Sequence, residues 1–278
     1  MPRALLPAAL AVVMLAAPAL ATGRSDAVEY RYEVSWGGIR AAEAALTRGL
    51  GTERYRAELQ LVTAGLTDRL APARFSAEAE GRQQGATAVK ADRYRTQFHG
   101  EDEDKELSMA FDPFTGIGDA IERTLRGKDT ADDPPGDKVP PEMRAGAVDP
   151  LSNLVLLGEQ VDAAMSGTGP NRFVLKSFDG KRRYDLAAEV KGVESVVIRE
   201  RRFDAVVVRL SVTPLAGFNA RQMDLWKDAV FTAELDPATL LPLRIRSENF
   251  GAAAVINVVA RCLQPACLSS SWQSASLR

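Results

Sequence analysis

The chain has 278 residues, with 35 Lys and Arg against 37 Asp and Glu and a single histidine. That near balance offers no general attraction to nucleic acid, whose binding domains carry a clear excess of positive charge. Two cysteines cannot be the main source of stability for a domain of this length, so a hydrophobic core must supply it.

Arg3, the apolar run Ala4 to Leu20 and the small-x-small site Ala19-Leu20-Ala21 together read as a secretory signal peptide cut after Ala21. The expectation is an exported, periplasmic protein whose mature part, residues 22–278, is a single β-rich domain. Removing Arg3 from the 35 basic residues leaves 34 against 37 acidic ones, a formal charge of −3. No second apolar run approaches the roughly 18 residues that a membrane span needs, so none is expected in the mature chain.

The dominant period is two, as in strands with one buried face. Val28, Tyr30, Tyr32, Val34 and Trp36 alternate with polar residues. Gly37-Gly38 then turns the chain into a strand carrying Ala42, Ala44 and Leu46. Tyr55, Ala57, Leu59 and Leu61 form a third alternating set, and further strands are predicted near 73–80, 86–98 and 105–111. The segment Phe111 to Leu125, with Phe114, Ile117, Ile121 and Leu125, reads as a partial helix that would help to cover the sheet.

From Gly127 to Pro150 the chain is rich in Pro, Gly and Asp, which excludes helix interior and central strand. A loop this long is expected to be a functional flap or a linker. Asp149-Pro150 reads as an N-cap with proline at the first helical position, opening a helix to about residue 165 through Leu151, Leu154, Val155 and Val161.

Strands return at 173–178 and 183–190, flanking Asp179-Gly180, a type I′ hairpin signal. Further strands are predicted at 194–200, 205–213, 226–235, 241–247 and 252–260. Cys262 and Cys267 flank Leu-Gln-Pro-Ala, a spacing that suits a short structural disulfide in an oxidising compartment. A metal pair there would need further ligands, and His99 is distant in sequence. Around a dozen strands and one clear helix predict a mainly β protein: a large curved antiparallel sheet, or an open or half β-barrel, with one or two covering helices.

Several segments in order resemble an exported bacterial family known only as domain-of-unknown-function family 3108. They are Tyr32-x-Val34-x-Trp36-Gly37-Gly38-Ile39, Thr63-Ala64-Gly65-Leu66, Asp149-Pro150-Leu151-Ser152, Phe178-Asp179-Gly180-Lys181-Arg182, and Leu235-Asp236-Pro237 with Leu241-Pro242-Leu243. The resemblance spans roughly residues 28–260 and implies a β-rich envelope protein, with no activity to carry over. The matching residues Gly37, Gly38, Asp149, Ser152, Asp179, Gly180 and Pro242 are turn and cap chemistry.

No G-x-S-x-G elbow, glycine-rich phosphate loop or calcium-loop spacing is present. The acidic run Glu101 to Asp104 reads as a solvated hairpin tip, the basic runs 181–183 and 199–202 as strand ends, and His99 as an exposed strand-end residue. No catalytic residue, metal ligand or cofactor site is assigned.

Apolar surface remains. Either the sheet closes on a filled core, or part of its concave face takes an apolar ligand. The first expectation is a non-catalytic protein binding an apolar or amphipathic envelope molecule, such as a lipid. Tyr30, Tyr32, Trp36, Phe111, Leu154, Phe173 and Phe231 are its candidate lining residues. An envelope protein–protein interaction module built on the 127–150 loop is the alternative, and a hydrolytic enzyme, with His99 as base, comes third.

Overall fold

The computed structural model describes residues 27–262, apart from 52, 85–87, 128–138 and 249–252. The alternating segments form one thirteen-stranded sheet. Its first half is a meander of β1 (Val28–Trp36), β2 (Ile39–Leu50), β3 (Arg54–Thr63), β4 (Ala73–Gln83), β5 (Val89–Gly100), β6 (Asp104–Phe111) and β7 (Gly118–Arg126). The second half is β8 (Arg172–Phe178), β9 (Arg183–Ile198), β10 (Arg201–Ala216), β11 (Val230–Leu235), β12 (Pro242–Ser247) and β13 (Ala254–Cys262). The order across the sheet is β7 to β1, then β13 down to β8, so β1 and β13 lie at the junction and β7 and β8 at the edges. All the ladders are antiparallel, and the sheet curls into a nearly closed barrel.

Among the described residues four helices accompany the sheet: α1 (Gly65–Leu70), α2 (Pro141–Arg144), α3 (Pro150–Met165) and α4 (Ala220–Trp226). None is long and apolar enough to cross a membrane. The α3 start forms as its sequence predicts. Asp149 accepts hydrogen bonds from the amides of Leu151 (3.0 Å) and Ser152 (2.9 Å), and Pro150 occupies the first turn, where its missing N–H costs nothing.

A helix apolar on one stripe would rest on one sheet, but α3 is buried on nearly every side. Leu151 and Val155 join the larger core, built chiefly on β1–β6 but also on Phe178, Val196, Ile198, Ala205, Leu243 and Val258, while Leu157, Val161 and Ala164 join the core of β8–β11. The reason is geometric. Eight strands enclose a space that side chains alone can fill, and thirteen enclose more, so a helix occupies part of it. The inner faces of β3–β5 carry Ala57, Ala77, Ala79 and Ala91, all buried, and these small residues let α3 approach the sheet closely.

The edges β7 and β8 are joined by side chains and a strap instead of a ladder. Arg144 of α2 donates to the Gly118 carbonyl at 2.7 Å and to Asp119 at 3.0 Å, both on β7. Val148 pairs its backbone with β8, through Lys176 (3.1 Å) and Phe178 (2.9 Å). Lys181, in the β8–β9 turn, meets Glu122 of β7 at 2.5 Å. The exposed face of β3–β6 is a lattice of ion pairs in which Arg56 meets Glu58, Glu78 and Glu80, and Arg95 meets Glu106. That face is solvated.

Several local expectations are corrected. Residues 118–126 are edge strand β7, not covering helix. Positions four apart share a face in a strand as in a helix, so Ile117, Ile121 and Leu125 suited both, and the ladder to β6 decides. The predicted strands 183–190 and 194–200 are one strand, β9, which continues through a bulge at Gly192 (φ +109°). Asp179-Gly180 does start a hairpin, but through a four-residue loop in which the Asp179 carboxylate accepts from the amides of Lys181 and Arg182. The two-residue turns with positive φ at both positions are Gly37-Gly38 and, without any glycine, Arg199-Glu200 (φ +47° and +68°). Beyond the bulge the β9–β10 arm folds back on the sheet junction. There Arg199 lies 3.6 Å from Glu33, Arg244 donates to the Val197 carbonyl at 3.0 Å, and the Arg261 guanidinium sits 5.4 Å from the Phe203 ring centre.

Candidate functional site

Strand alternation and register decide which side chains share the face that α3 packs against. On β3 they are Tyr55, Ala57, Leu59 and Leu61. Cross-strand partners extend this set to Phe75, Ala77 and Ala79 on β4 and to Tyr94, Thr96 and Phe98 on β5. Across the junction the face continues through Tyr30, Tyr32 and Val34 on β1, Ile256 and Val258 on β13, Leu243 and Ile245 on β12, and Phe231, Ala233 and Leu235 on β11.

Along each of these strands burial changes in the same direction. Toward α3 the residues are sealed: Tyr55, Ala57, Ala79, Tyr30, Leu235 and Leu243 are almost inaccessible. Toward the opposite end Leu59, Leu61, Phe75, Phe98, Val34, Ile256, Ile245 and Phe231 are only half-buried, and Trp36 is 46% exposed. The inner face therefore has two tiers. One is filled by α3, and the other is a continuous set of partly buried apolar side chains that no described helix fills. Helices α1 and α4 lie at the mouth of this open tier, in the β3–β4 and β10–β11 connections. Leu66 and Leu70 of α1 are exposed there.

Polar groups lie beneath the open tier. The Tyr30 hydroxyl donates to Asp236 at 2.6 Å and meets the Thr239 hydroxyl at 2.9 Å, and Arg261 donates to the same Asp236 at 2.6 Å. Burial, reinforced by Asp236, pushes the Tyr30 hydroxyl up to about 12. Arg48, on the inner face of β2, is 8% exposed and donates through Nη2 to the Thr239 carbonyl. Gly158 of α3 makes room for it, since a Cβ there would stand 3.3 Å from Arg48 Nη1. Tyr32, 4% exposed, lies beside Tyr30 with ring centres 6.4 Å apart and the rings tilted by 41°.

A second buried cluster surrounds the start of α3. The Tyr55 hydroxyl donates to Ser152 Oγ at 2.6 Å, and Ser152 Oγ donates to Asp149. Asp149 is fully buried, and desolvation raises its carboxyl to about 6 despite the hydrogen bonds it accepts.

The structure separates the seven candidate lining residues. Trp36 and Phe231 belong to the open tier, whereas Tyr30, Tyr32 and Phe111 are sealed core. Leu154 lies half-buried on α3, and Phe173 is half-buried on β8 against the second core cluster. Leu59, Leu61, Phe75, Phe98, Val34, Ile245 and Ile256 complete the open tier and were not singled out from sequence. A usable signal exists along β3 in the step from Ala57, small under the helix, to Leu59 and Leu61 beyond it. Cys262 ends β13, and its expected partner Cys267 lies outside the described residues, as do residues 1–21 and 128–138.

The polar candidates fall into pairs on the surface. His99 stands half-exposed at 3.3 Å from Asp104, which also takes Arg126 at 2.9 Å. A depression of about 480 Å³ on the exposed sheet face is lined by Glu80, Arg93, Arg95 and Glu106, whose charges already pair with one another. Among the described residues no three His, Cys, Asp or Glu side chains converge as a metal site would require.

No curated protein matches the chain. Among solved structures it is similar to a β-barrel-like protein of domain-of-unknown-function family DUF1849 from Brucella abortus. The identity is 10% and the TM-score 0.47, over 84% of this chain and 96% of that one. The model of the family described as "Protein of unknown function (DUF3108)" matches residues 31–257, from the middle of β1 to the middle of β13, and the chain belongs to that family.

Proposed function

We propose that this protein holds the apolar part of an amphipathic molecule, such as a lipid, in the open tier of its barrel and catalyses no reaction. The observation that carries the reading is the burial gradient along the inner face. Apolar side chains that point toward the lumen on six or more strands are sealed at one end and only partly buried at the other, where Trp36 is exposed. A continuous run of apolar side chains left partly accessible at one end of a barrel is a surface that an apolar ligand would cover. The sequence of residues 1–21 supports export, with the ligand met in the periplasm and a Cys262–Cys267 disulfide closing the end of β13.

Native mass spectrometry on protein exported into a bacterial periplasm and purified without detergent tests the reading. The expected spectrum shows an added mass that organic extraction identifies as lipid, and Leu61→Glu, which places a charge in the open tier, abolishes it. Bare polypeptide, together with no thermal stabilisation by any single-chain amphiphile, would overturn it, because a ligand that binds only the native state must raise the melting temperature.

A further inference from the structure

Two buried charged side chains, Arg48 and Asp149, have no ion pair among the described residues, and Asp149 is instead held by the Leu151 and Ser152 amides and by Ser152 Oγ. Glu29, Arg183, Glu234 and Asp236 are comparably buried, and each meets an opposite charge: Arg31 at 2.7 Å, Asp185 at 2.6 Å, Arg244 at 2.6 Å and Arg261 at 2.6 Å. Arg48 has no ion pair within 4 Å among the described residues. Glu159 of α3 acts on it only at longer range, and its carboxylate is held by Gln83 at 2.8 Å. One guanidinium nitrogen is satisfied by the Thr239 carbonyl, but Nε is buried without a partner. An isolated buried cation is expensive, and its usual remedy is an anion.

A second orphan lies in the same cluster. The Tyr32 hydroxyl is buried and has no hydrogen-bond partner. Tyr30 links the two, since its ring lies beside that of Tyr32 and it shares Thr239 with Arg48. Register places Tyr32 in the cross-strand row that runs through the buried Ala44 to Leu61, Phe75 and Phe98, partly buried residues of the open tier. Two donors, one carrying a full positive charge, thus lack an acceptor at the border between the filled and open tiers.

Resting on the open-tier reading, we infer that the ligand is a singly charged acyl carboxylate bound head-down, its carboxylate accepting from Arg48 Nε and the Tyr32 hydroxyl. Its alkyl chain then lies along Leu61, Phe75 and Phe98. One negative charge matches the one uncompensated guanidinium, whereas a dianionic phosphate would exceed it.

Calorimetric titration of the delipidated mature protein with dodecanoate, dodecanol and dodecyltrimethylammonium tests the inference. Dodecanoate is expected to bind at least about tenfold more tightly than dodecanol, as a charge-assisted hydrogen bond provides. The ammonium should bind least. Tyr32→Phe should lower dodecanoate affinity by about tenfold, leave dodecanol unchanged, and leave the free protein no less stable, because the lost hydroxyl had no partner. Arg48→Gln should erase the preference for the carboxylate. Equal affinity for dodecanoate and dodecanol would overturn the inference while sparing the open tier. So would a Tyr32→Phe protein that is destabilised with unchanged affinity, which would show that an ordered water alone fills the position. Failure of every amphiphile to bind would overturn the open-tier reading as well.

Discussion

Replacing Asp149 by asparagine should stabilise this protein at neutral pH, contrary to the usual outcome at a helix cap. Asp149 is fully buried, and burial raises its carboxyl from 3.8 to about 6. Between those two values the folded chain holds a proton that the unfolded chain has released, so stability falls as pH rises through the window. The contribution is fully present below about 3.8 and lost above about 6. At 1.36 kcal/mol per pH unit the span amounts to about 3 kcal/mol, an upper bound for a group that already accepts several hydrogen bonds. In Asp149→Asn the side-chain amide would keep its oxygen on the Leu151 and Ser152 N–H groups, while its NH2 donates to Ser152 Oγ. Ser152 can then turn its own proton toward Tyr55, reversing the chain of hydrogen bonds that now runs from Tyr55 to Asp149. Urea unfolding of both proteins at intervals from pH 4 to 7.5 measures the difference directly. Subtracting the variant also cancels carboxylates such as Asp236 and Glu248, whose partners lower them and whose stabilisation fades as pH falls. The expected difference grows in favour of Asp149→Asn as pH rises from 4 to 6.5 and then levels. A variant that is less stable at pH 7.5, or a difference independent of pH, would refute the reasoning.

Three further outcomes follow from the packing. Leu243→Ala in the filled tier should cost about 2–5 kcal/mol in chemical denaturation, while Leu61→Ala in the open tier should cost clearly less, since fewer of its contacts are lost. Ala79→Leu should destabilise by about 1–3 kcal/mol on the same measurement, because Ala79 is inaccessible and lies in the wall on which α3 rests. Combining Arg199→Asn with Glu200→Gly should raise stability by about 1–2 kcal/mol, read as a shift in denaturation midpoint, by relieving two ill-suited residues of positive φ in a two-residue turn.

Strand alternation, the Gly37-Gly38 turn and the Asp149-Pro150 cap were legible because each is a local physical requirement written in a few adjacent residues. The identity of β7 was not, since Ile117, Ile121 and Leu125 satisfy helix and strand periods alike and only pairing with β6 separates them. Short α1 and α4 carry too few residues to show a period. The two tiers were hidden for a different reason. Leu59 and Leu61 look like Leu235 and Leu243 in sequence, and what distinguishes them is whether α3 reaches them, a long-range fact. Arg48 breaks the apolar pattern of Ala42, Ala44 and Leu46 on its face, but a charge near a strand end is ordinarily solvated, and its burial is again a long-range fact.

The strand order bears on how the chain reaches its native state. Every ladder but one joins strands consecutive in the chain, so each half of the sheet can zip up hairpin by hairpin with little loop-closure entropy. The exception is β1 with β13, where Trp36 pairs with Ala254 across more than two hundred residues. Two fast-forming half-sheets must therefore wait for one distant encounter, and until it happens β1 and the β12–β13 hairpin present bare edges that invite pairing with other chains. Loss of β13 would leave both halves able to form yet permanently unjoined. Aggregation during synthesis and folding should thus depend on this single late ladder more than on any hairpin.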